Sequence, residues 1–514
     1  MRTAHPVSVV RAAERPLIEA AEAAGDPDAV MRRAATGVAH HTAALLRSRG
    51  HALHGARVLL LVGSGDNGGD ALYAGARLRA RGCAVDALLT APGRVHARGL
   101  AALRRAGGRV WDGPGAVTAR AGEWDVAVDG VVGLSGTGPL REPAGRVVAA
   151  LEAAGVPLVA VDLPSGVDAD TGVAYPPHVR AAVTVTFGLL RRAHLLAAPE
   201  CGRVELVDIG PMDVAAGEGP HDAETVSAPD AAEVGARWPV PGAADDKYSQ
   251  GVVAVRAGSG RYPGAAVLCA SAAVAATSGM VRYVGPCGDA VLARRPEVVR
   301  HPTVREAGRA QAWVAGPGMG TDDDAVAGLD AILSLGTPVL VDADGLAVLA
   351  EHPGLLRGRD APVLLTPHAG EFARLAGREV GPDRAGSLRG YVTGLRARGV
   401  DATVLLKGRV TLVDDGERLL AVDAGASWGA TAGSGDVLSG VAGALLAHGA
   451  AAPDGPGWVA RVAADAAVAH AAAARHAAAP DGPGTAGAPI GASELLGALH
   501  PAIRGLRATR DADG

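Results

Sequence analysis

VLLLVGSGDNGGDALYAGARL, residues 58–78, decides the fold of this 514-residue chain. Arg57–Val62 is a short apolar run ending in glycine, the pattern of a strand buried on both faces. Asp70–Arg81 then takes helical spacing. A glycine turn between strand and helix exposes backbone N–H groups and the positive end of the helix dipole, which suits a phosphate. The tetrapeptide Gly-Ser-Gly-Asp of this turn, Gly63–Asp66, recurs at Gly433–Asp436 in GATAGSGDVLSGVAGALLAHG, residues 429–449. Two such turns predict two sites for phosphate-bearing ligands.

Working outward, strand and helix signals alternate. The first series reads as strands at Ala84–Leu89, Trp124–Asp129, Leu158–Val161 and Ala182–Thr186. Its helices are His96–Ala106 and Gly145–Ala154, with more helix before residue 50. Such alternation predicts βαβ units on a parallel sheet covered on both faces. The pattern lapses over Gly210–Gly242, which is rich in Pro, Gly, Ala and acids and reads as the linker. A second α/β series follows, with strands at Val252–Ala257, Ala312–Ala315, Pro338–Asp342, Val363–Thr366 and Ala402–Leu406. Its helices are Ala265–Ser278, Ala325–Ser334, Asp436–His448 and Val459–Ala479. Pro480–Pro489 reads as a loop, and the last ten residues as frayed.

Composition agrees with two or three domains: 48% hydrophobic, 20% charged, 3% aromatic. Cores of Val, Leu and Ala suit helices packed on parallel sheets. A net charge of −5 without a basic block argues against nucleic-acid binding. Cys83, Cys201, Cys269 and Cys287 are far apart and form no CxxC pair, so they read as buried apolar residues. Without a signal-peptide pattern or membrane span, a cytoplasmic chain is expected.

In an open parallel sheet, ligands bind at the carboxyl ends of strands. Three loops leave strand ends there in the first series: VGSGDNGGD (62–70), DGVVGLSGTGP (129–139) and DLPSGVD (162–168). Asn67, Asp129 and Ser165 offer hard oxygen donors for an alkali or alkaline-earth ion. These loops resemble the signature of the YjeF N-terminal family, the NAD(P)H-hydrate epimerases. The resemblance implies a Rossmann-like three-layer domain over 1–215. It implies that Asp66, Asn67, Gly68, Gly69 and Asp70, with Gly133, Leu134, Ser135, Gly136, Thr137, Gly138 and Pro139, bind the hydrated dinucleotide. A potassium ion would sit on Asn67, Asp129 and Ser165. Asp162 becomes the candidate acid/base, since epimerising a hydroxyl-bearing carbon beside nitrogen needs proton movement. Asp66 and Ala71 stand where that family usually has Asn and Gly.

The second tetrapeptide, with Gly433, Gly435 and Asp436 at a helix start, suggests phosphoryl transfer or a capped helix whose Asp serves only the backbone. KYSQGVVAVRAGSGRYPGAAVLCASAA (247–273), AGPGMG (315–320), VDADGL (341–346), TPHAGEFARL (366–375) and LLKGRVTLV (405–413) accompany it. Together they resemble the ribokinase-like ADP-dependent NAD(P)H-hydrate dehydratases, over 235–505, leaving 216–234 as linker. That resemblance places Lys407, Gly408, Arg409, Val410, Thr411, Gly433 and Gly435 on the adenine nucleotide. Ala265, Gly318, His368 and Asp436 would line the hydrate pocket, with Asp436 as catalytic base.

The resulting expectation is a homo-oligomeric bifunctional enzyme acting on NADH hydrate and NADPH hydrate. The first domain would interconvert the R and S epimers. The second would dehydrate the S form with ADP and magnesium, giving AMP and phosphate. The alternative is a ribokinase-type small-molecule kinase with an accessory N-terminal binding domain.

Overall fold

The computed structural model describes residues 1–111, 113–134, 136–212, 224–482 and 486–510, and falls into two compact units, the first 3–225 and the second 226–514 with residues 1–2. Ser135 lies outside the described residues.

The first unit is built on a seven-stranded sheet in which every neighbouring pair is parallel. Across the sheet run Arg109–Trp111, Ala84–Leu89, Arg57–Val62, Val126–Gly130, Leu158–Val161, Val183–Phe187 and Arg203–Val207. From Arg57–Val62 the chain winds outward on one side, then returns to the other side of the same strand. Alternation along that strand sorts its side chains between two cores. Val58, Leu60 and Val62 pack with residues of helices Ala29–Ser48 and Asp66–Ala80. Leu59 and Leu61 pack with residues of helix Ala144–Ala153. This is the expected three-layer architecture, with its switch point between Arg57–Val62 and Val126–Gly130.

The second unit repeats the principle with a different ending. Seven strands are parallel: Val299–His301, Met280–Val284, Val252–Arg256, Ala312–Ala315, Val339–Val341, Val363–Leu365 and Ala402–Leu406. Val410–Asp414 and Leu419–Asp423 then pair antiparallel, and Val226–Ala228 joins the latter in parallel. The switch point lies between Val252–Arg256 and Ala312–Ala315. Helices Pro263–Ala276, Ser434–Ala451 and Trp458–Ala478 share one Ala-rich core. Small side chains let them approach closely: a Cβ at Gly440 would lie 2.2 Å from the Cys269 carbonyl oxygen.

Three sequence expectations change. Asp66–Asp70 do not form a loop, because the helix begins at Asp66 rather than Asp70. The expected linker 216–234 includes strand Val226–Ala228 and the start of helix Ala231–Arg237. That helix carries a capping box: Asp230 accepts from the Glu233 N–H at 2.8 Å, and Glu233 accepts from the Asp230 N–H. Val234 and Trp238 anchor it in the core, a tertiary gain that local composition does not reveal. Finally, the chain end is not frayed up to residue 510. Helix Leu499–Arg510 buries Leu499, Ala502, Ile503 and Leu506. No helix among the described residues is long and apolar enough to cross a membrane.

Gly440 supplies a stability test. Gly to Ala inside a helix ordinarily gains about 1 kcal/mol. Here the new methyl meets backbone, so Gly440→Ala is expected to destabilise the second unit by about 1–3 kcal/mol, read as a lower denaturant midpoint.

Candidate active sites

At the first switch point the backbone comes very close to itself. A Cβ at Gly63 would fall 1.9 Å from the Val131 carbonyl oxygen, and one at Gly133 would fall 2.3 Å from Asn67 Oδ1. Backbone bars any side chain at Gly63, and one at Gly133 would displace the Asn67 amide. A Cβ at Gly130 would meet that of Ala71 at 2.7 Å, so the glycine on the strand makes room for Ala71 on the helix. The loops border a cavity of about 700 Å³ that includes Asp66, Asn67, Asp70, Gly133, Leu134 and Asp162 among its walls. Gly68, Gly69, Gly136, Thr137, Gly138, Pro139, Asp129 and Ser165 are not among its lining residues. Gly68 and Gly69 instead sit buried in the first turn of the helix.

Asp129 and Ser165 form their own buried cluster. Ser165 donates its N–H to Asp129 Oδ2 at 2.8 Å and its hydroxyl to Oδ1 at 2.7 Å, and its Oγ accepts from the Val132 N–H at 2.9 Å. Burial pushes the Asp129 carboxyl up to about 6, against the bonds from Ser165 and Val131. Asn67 donates to the Val161 carbonyl at 2.6 Å. Hard oxygens thus gather around the Val131–Gly133 turn, where Asp129 has dipolar partners but no cationic side chain among the described ion pairs. This donor set fits a weakly charged cation better than a transition metal.

Asp162 is held on every side. Its φ of 67° is in the left-handed region, uncommon for a residue with a side chain. The surrounding bonds enforce it. Its N–H donates to the Val185 carbonyl at 2.8 Å, and Thr186 donates to Oδ1 at 2.9 Å. Arg191 Nε lies 3.0 Å from Oδ1, and the same guanidinium reaches Glu14 at 2.8 Å. His194 Nδ1 accepts from the Arg191 N–H at 3.0 Å, which leaves the proton on Nε2. That Nε2 donates to the Asp162 carbonyl at 2.8 Å. Burial lowers His194 to about 4, so the ring stays neutral and works as a structural donor. Glu14, Thr186, Arg191 and His194 are not among the site residues read from the sequence. The one available signal was RRAH at 191–194, a cluster of charge just past a buried strand.

In the second unit a cavity of about 480 Å³ is bordered by His368, Lys407, Gly408, Arg409, Thr411 and Gly435. Val410, Gly433, Ala265, Gly318 and Asp436 are not among its lining residues. The Val410 side chain is buried in the alternation of its strand, and its carbonyl accepts from Arg384 at 2.7 Å. Gly433 is the helix N-cap at φ 82°, and a Cβ there would meet Leu268 at 2.6 Å. Gly318, at φ 59°, faces Ala265 at a Cβ separation of 2.8 Å, so these two predicted pocket residues do adjoin.

Around the helix start one amine pairs with two carboxylates, and two more carboxylates, Asp344 and Asp436, lie in the same electrostatic cluster. Lys407 donates to Asp342 Oδ1 at 2.8 Å and lies 3.6 Å from Glu371. Burial lowers the Lys407 ammonium, but Asp342 and Glu371 more than offset this, and the net direction is upward. Ser439 fixes the other oxygen of Asp342 at 2.6 Å. Asp436 is pushed up to about 6, first by burial and then by Asp342, with Lys407 opposing. Asp344 also raises it and is held by the Gly320 N–H at 2.9 Å. Such a carboxyl suits a base working near neutrality. His368 caps helix Ala369–Ala376, its Nδ1 accepting from Gly370 at 3.0 Å. The sequence marked DADGL and TPHAGE as strand ends but not the Lys407–Asp342–Ser439 chain, nor Ser434 bonded to His470 at 3.0 Å.

These features define an α/β protein with a separate strand-end site in each unit. Residues 27–193 match the family model described as YjeF-related protein N-terminus, and residues 253–493 match that described as NAD(P)H-hydrate dehydratase. The chain is 54% identical over 451 residues to the bifunctional NAD(P)H-hydrate repair enzyme of Mycobacterium tuberculosis, covering 87% of this chain and 90% of that one. It is 40% identical to its namesake in Corynebacterium glutamicum, covering 87% and 88%. It belongs to the bifunctional NAD(P)H-hydrate repair family. Among solved structures, an ADP/ATP-dependent NAD(P)H-hydrate dehydratase from Bacillus subtilis, co-crystallised with ATP and Mg2+, is 24% identical with TM-score 0.45. That match covers 55% of this chain and 99% of the other.

His194→Ala tests the Asp162 scaffold. It removes the donor to a buried carbonyl at a strained residue, so it should destabilise the first unit by about 1–3 kcal/mol, measured by chemical denaturation. His194→Gln should recover part of the loss.

Proposed function

We propose that the chain repairs hydrated NADH and NADPH in two steps. The first unit interconverts the R and S epimers, and the second dehydrates the S epimer with ADP, giving AMP and phosphate. The observation that carries this reading is Asp436 at the first turn of helix Ser434–Ala451, beside the Lys407–Asp342 pair and a cavity large enough for a nucleotide. Family membership on both units supports it.

The dehydration follows from the leaving group, since hydroxide departs poorly from the hydrated ring. Asp436 takes the hydroxyl proton, and the hydroxyl oxygen attacks the terminal phosphorus of ADP. The helix N-terminus steadies the charge that develops on the phosphoryl oxygens. The ring nitrogen then expels phosphate, leaving an N1=C6 iminium, and loss of a C5 proton to solvent or to the departing phosphate restores the reduced nicotinamide. Lys407, Gly408, Arg409 and Thr411 hold the nucleotide, with Gly433 and Gly435 keeping the helix start open. Val410 contributes through its backbone. Ala265, Gly318 and His368 frame the hydrate. Asp342, Asp344, Glu371 and Asp436 outnumber the one lysine, so a magnesium ion accompanying the phosphates fits the charge balance; it supplies charge neutralisation to the transfer.

In the first unit Asp162 moves the hydroxyl proton, and the helix start at 66–70 and the segment 133–139 hold the dinucleotide. A potassium ion would be held by Asn67, Asp129 and Ser165, where it supplies a fixed positive charge beside the substrate. Four buried, unpaired cysteines suit a reducing, cytoplasmic setting.

Purified protein mixed with R/S NADH hydrate, ADP and Mg2+ should restore the near-UV absorbance of all the substrate. Recovery of the S fraction alone, beyond spontaneous exchange, would show an inactive first site. No recovery, with ATP-dependent phosphorylation of an alcohol, would establish the kinase instead.

Asp436→Ala should lower dehydration at least about 100-fold and leave epimerisation intact, while Asp162→Ala should do the reverse. Because a base must be unprotonated, dehydration kcat/KM should fall as pH drops below about 6, following Asp436. Replacing potassium by tetramethylammonium should slow epimerisation in the native protein but not in Asp129→Asn.

A further inference from the structure

Asp70 is the most anomalous group in the first unit. It is only 6% exposed, yet it borders the cavity that also holds Asp162. Its Oδ1 has no hydrogen-bond partner among the described residues. Buried polar atoms are ordinarily satisfied, and an exception facing a cavity points to a group that the cavity's occupant will satisfy. Its ion-pair environment is equally unusual. Asp66 comes from its own helix, Asp162 from a strand-end loop, Arg191 from strand Leu190–Arg191, Arg11, Glu14, Arg15 and Glu22 from helix Val7–Ala23, and His96 and Asp28 from the segments beside the helix. The one buried cation, Arg191, is already committed to Asp162 and Glu14. Burial first, then the charges of Asp162, Asp66 and Glu14, raise the Asp70 carboxyl well above the usual range.

Two carboxyl groups in one cavity thus have opposite surroundings. Asp162 is ion-paired with a guanidinium and accepts from a hydroxyl, whereas the groups that act most strongly on Asp70 are the carboxylates Asp162, Asp66 and Glu14. This is the arrangement that divides a base from an acid.

We propose that Asp70 is the acid partner of Asp162 in epimerisation and donates a proton to the ring nitrogen. The inference rests on the epimerase reading of this unit. The hydrated ring is a carbinolamine: its C6 bears the hydroxyl and is bonded to N1. Asp162 takes the hydroxyl proton, and the O–H electrons form the carbonyl of an aldehyde. The C6–N1 bond breaks, its electron pair goes to N1, and Asp70 delivers a proton there. Rotation about C5–C6 turns the other face of the aldehyde to N1. Ring closure reverses each transfer: N1 attacks C6 and returns its proton to Asp70, and Asp162 returns its proton to oxygen. Both carboxyl groups end as they began, and no oxidant or co-reactant is consumed.

The test uses the full chain and an R-enriched NADH hydrate, with interconversion followed by chromatography against an enzyme-free control. Asp70→Asn keeps the shape but cannot donate the proton. Its kcat is expected to fall at least about 100-fold with KM within about threefold, and Asp70→Glu should recover part of kcat. A kcat within threefold of the native protein, or an effect confined to KM, overturns the proposal. The native protein gives an independent readout that does not depend on the variant's folding. Its epimerisation kcat/KM should decline on the alkaline side as the acid is lost; a profile with no alkaline limb overturns the assignment. If the native protein dehydrates the S epimer but never interconverts the two, the epimerase reading itself fails and takes this inference with it.

Discussion

Both sites depend on backbone meeting backbone at the carboxyl ends of parallel strands. In the first unit Gly63 lies against the Val131 carbonyl; in the second, Gly316 lies against the Asp342 carbonyl, where a Cβ would stand 1.8 Å away. These contacts bring neighbouring strand ends close enough for residues distant in sequence to share one cavity. Any side chain at either glycine would separate the loops and disperse the groups they carry. The Ala-rich cores serve the same end. Close packing of Pro263–Ala276 against Ser434–Ala451 fixes the helix start that presents Asp436.

Each site then places carboxyl groups in unlike surroundings. Asp162 is anchored by Arg191, Thr186 and a neutral His194, and its strained backbone is held by those bonds. Asp70 is nearby but has no such support. At the second site Lys407 pairs with Asp342, and burial with neighbouring carboxylates raises the proton affinity of Asp436. In both, burial makes differences between neighbouring acids large, because charges interact strongly where water is excluded.

The repeated Gly-Ser-Gly-Asp shows how far local letters reach. In the first copy Gly65 caps the helix in extended conformation and Asp66 is its first residue. In the second, Gly433 caps it in left-handed conformation, and Asp436 is the third. The same tetrapeptide therefore presents its acid at different points of the first turn. The difference comes from what each glycine packs against, Leu268 beside Gly433 in the second copy, and no local rule predicts it.

The sequence by itself determined the two α/β units, the strand-end loops, and Asp436 and Lys407 as chemical candidates, with Asp162 added by the family resemblance of its loop. It could do so because apolar periodicity, glycine turns and helix starts are local signals. Tertiary structure alone decided that Arg191, Thr186 and His194 hold Asp162 while Glu14 pairs with Arg191, that Asp342 and Ser439 set Lys407, and that Asp70 Oδ1 has no hydrogen-bond partner among the described residues. It also turned part of the expected linker into strand and helix. Those outcomes rest on burial and on pairs as much as 177 residues apart, as for Arg191 and Glu14. A carboxyl group's proton affinity is set by its neighbours, and neighbours are chosen by the fold.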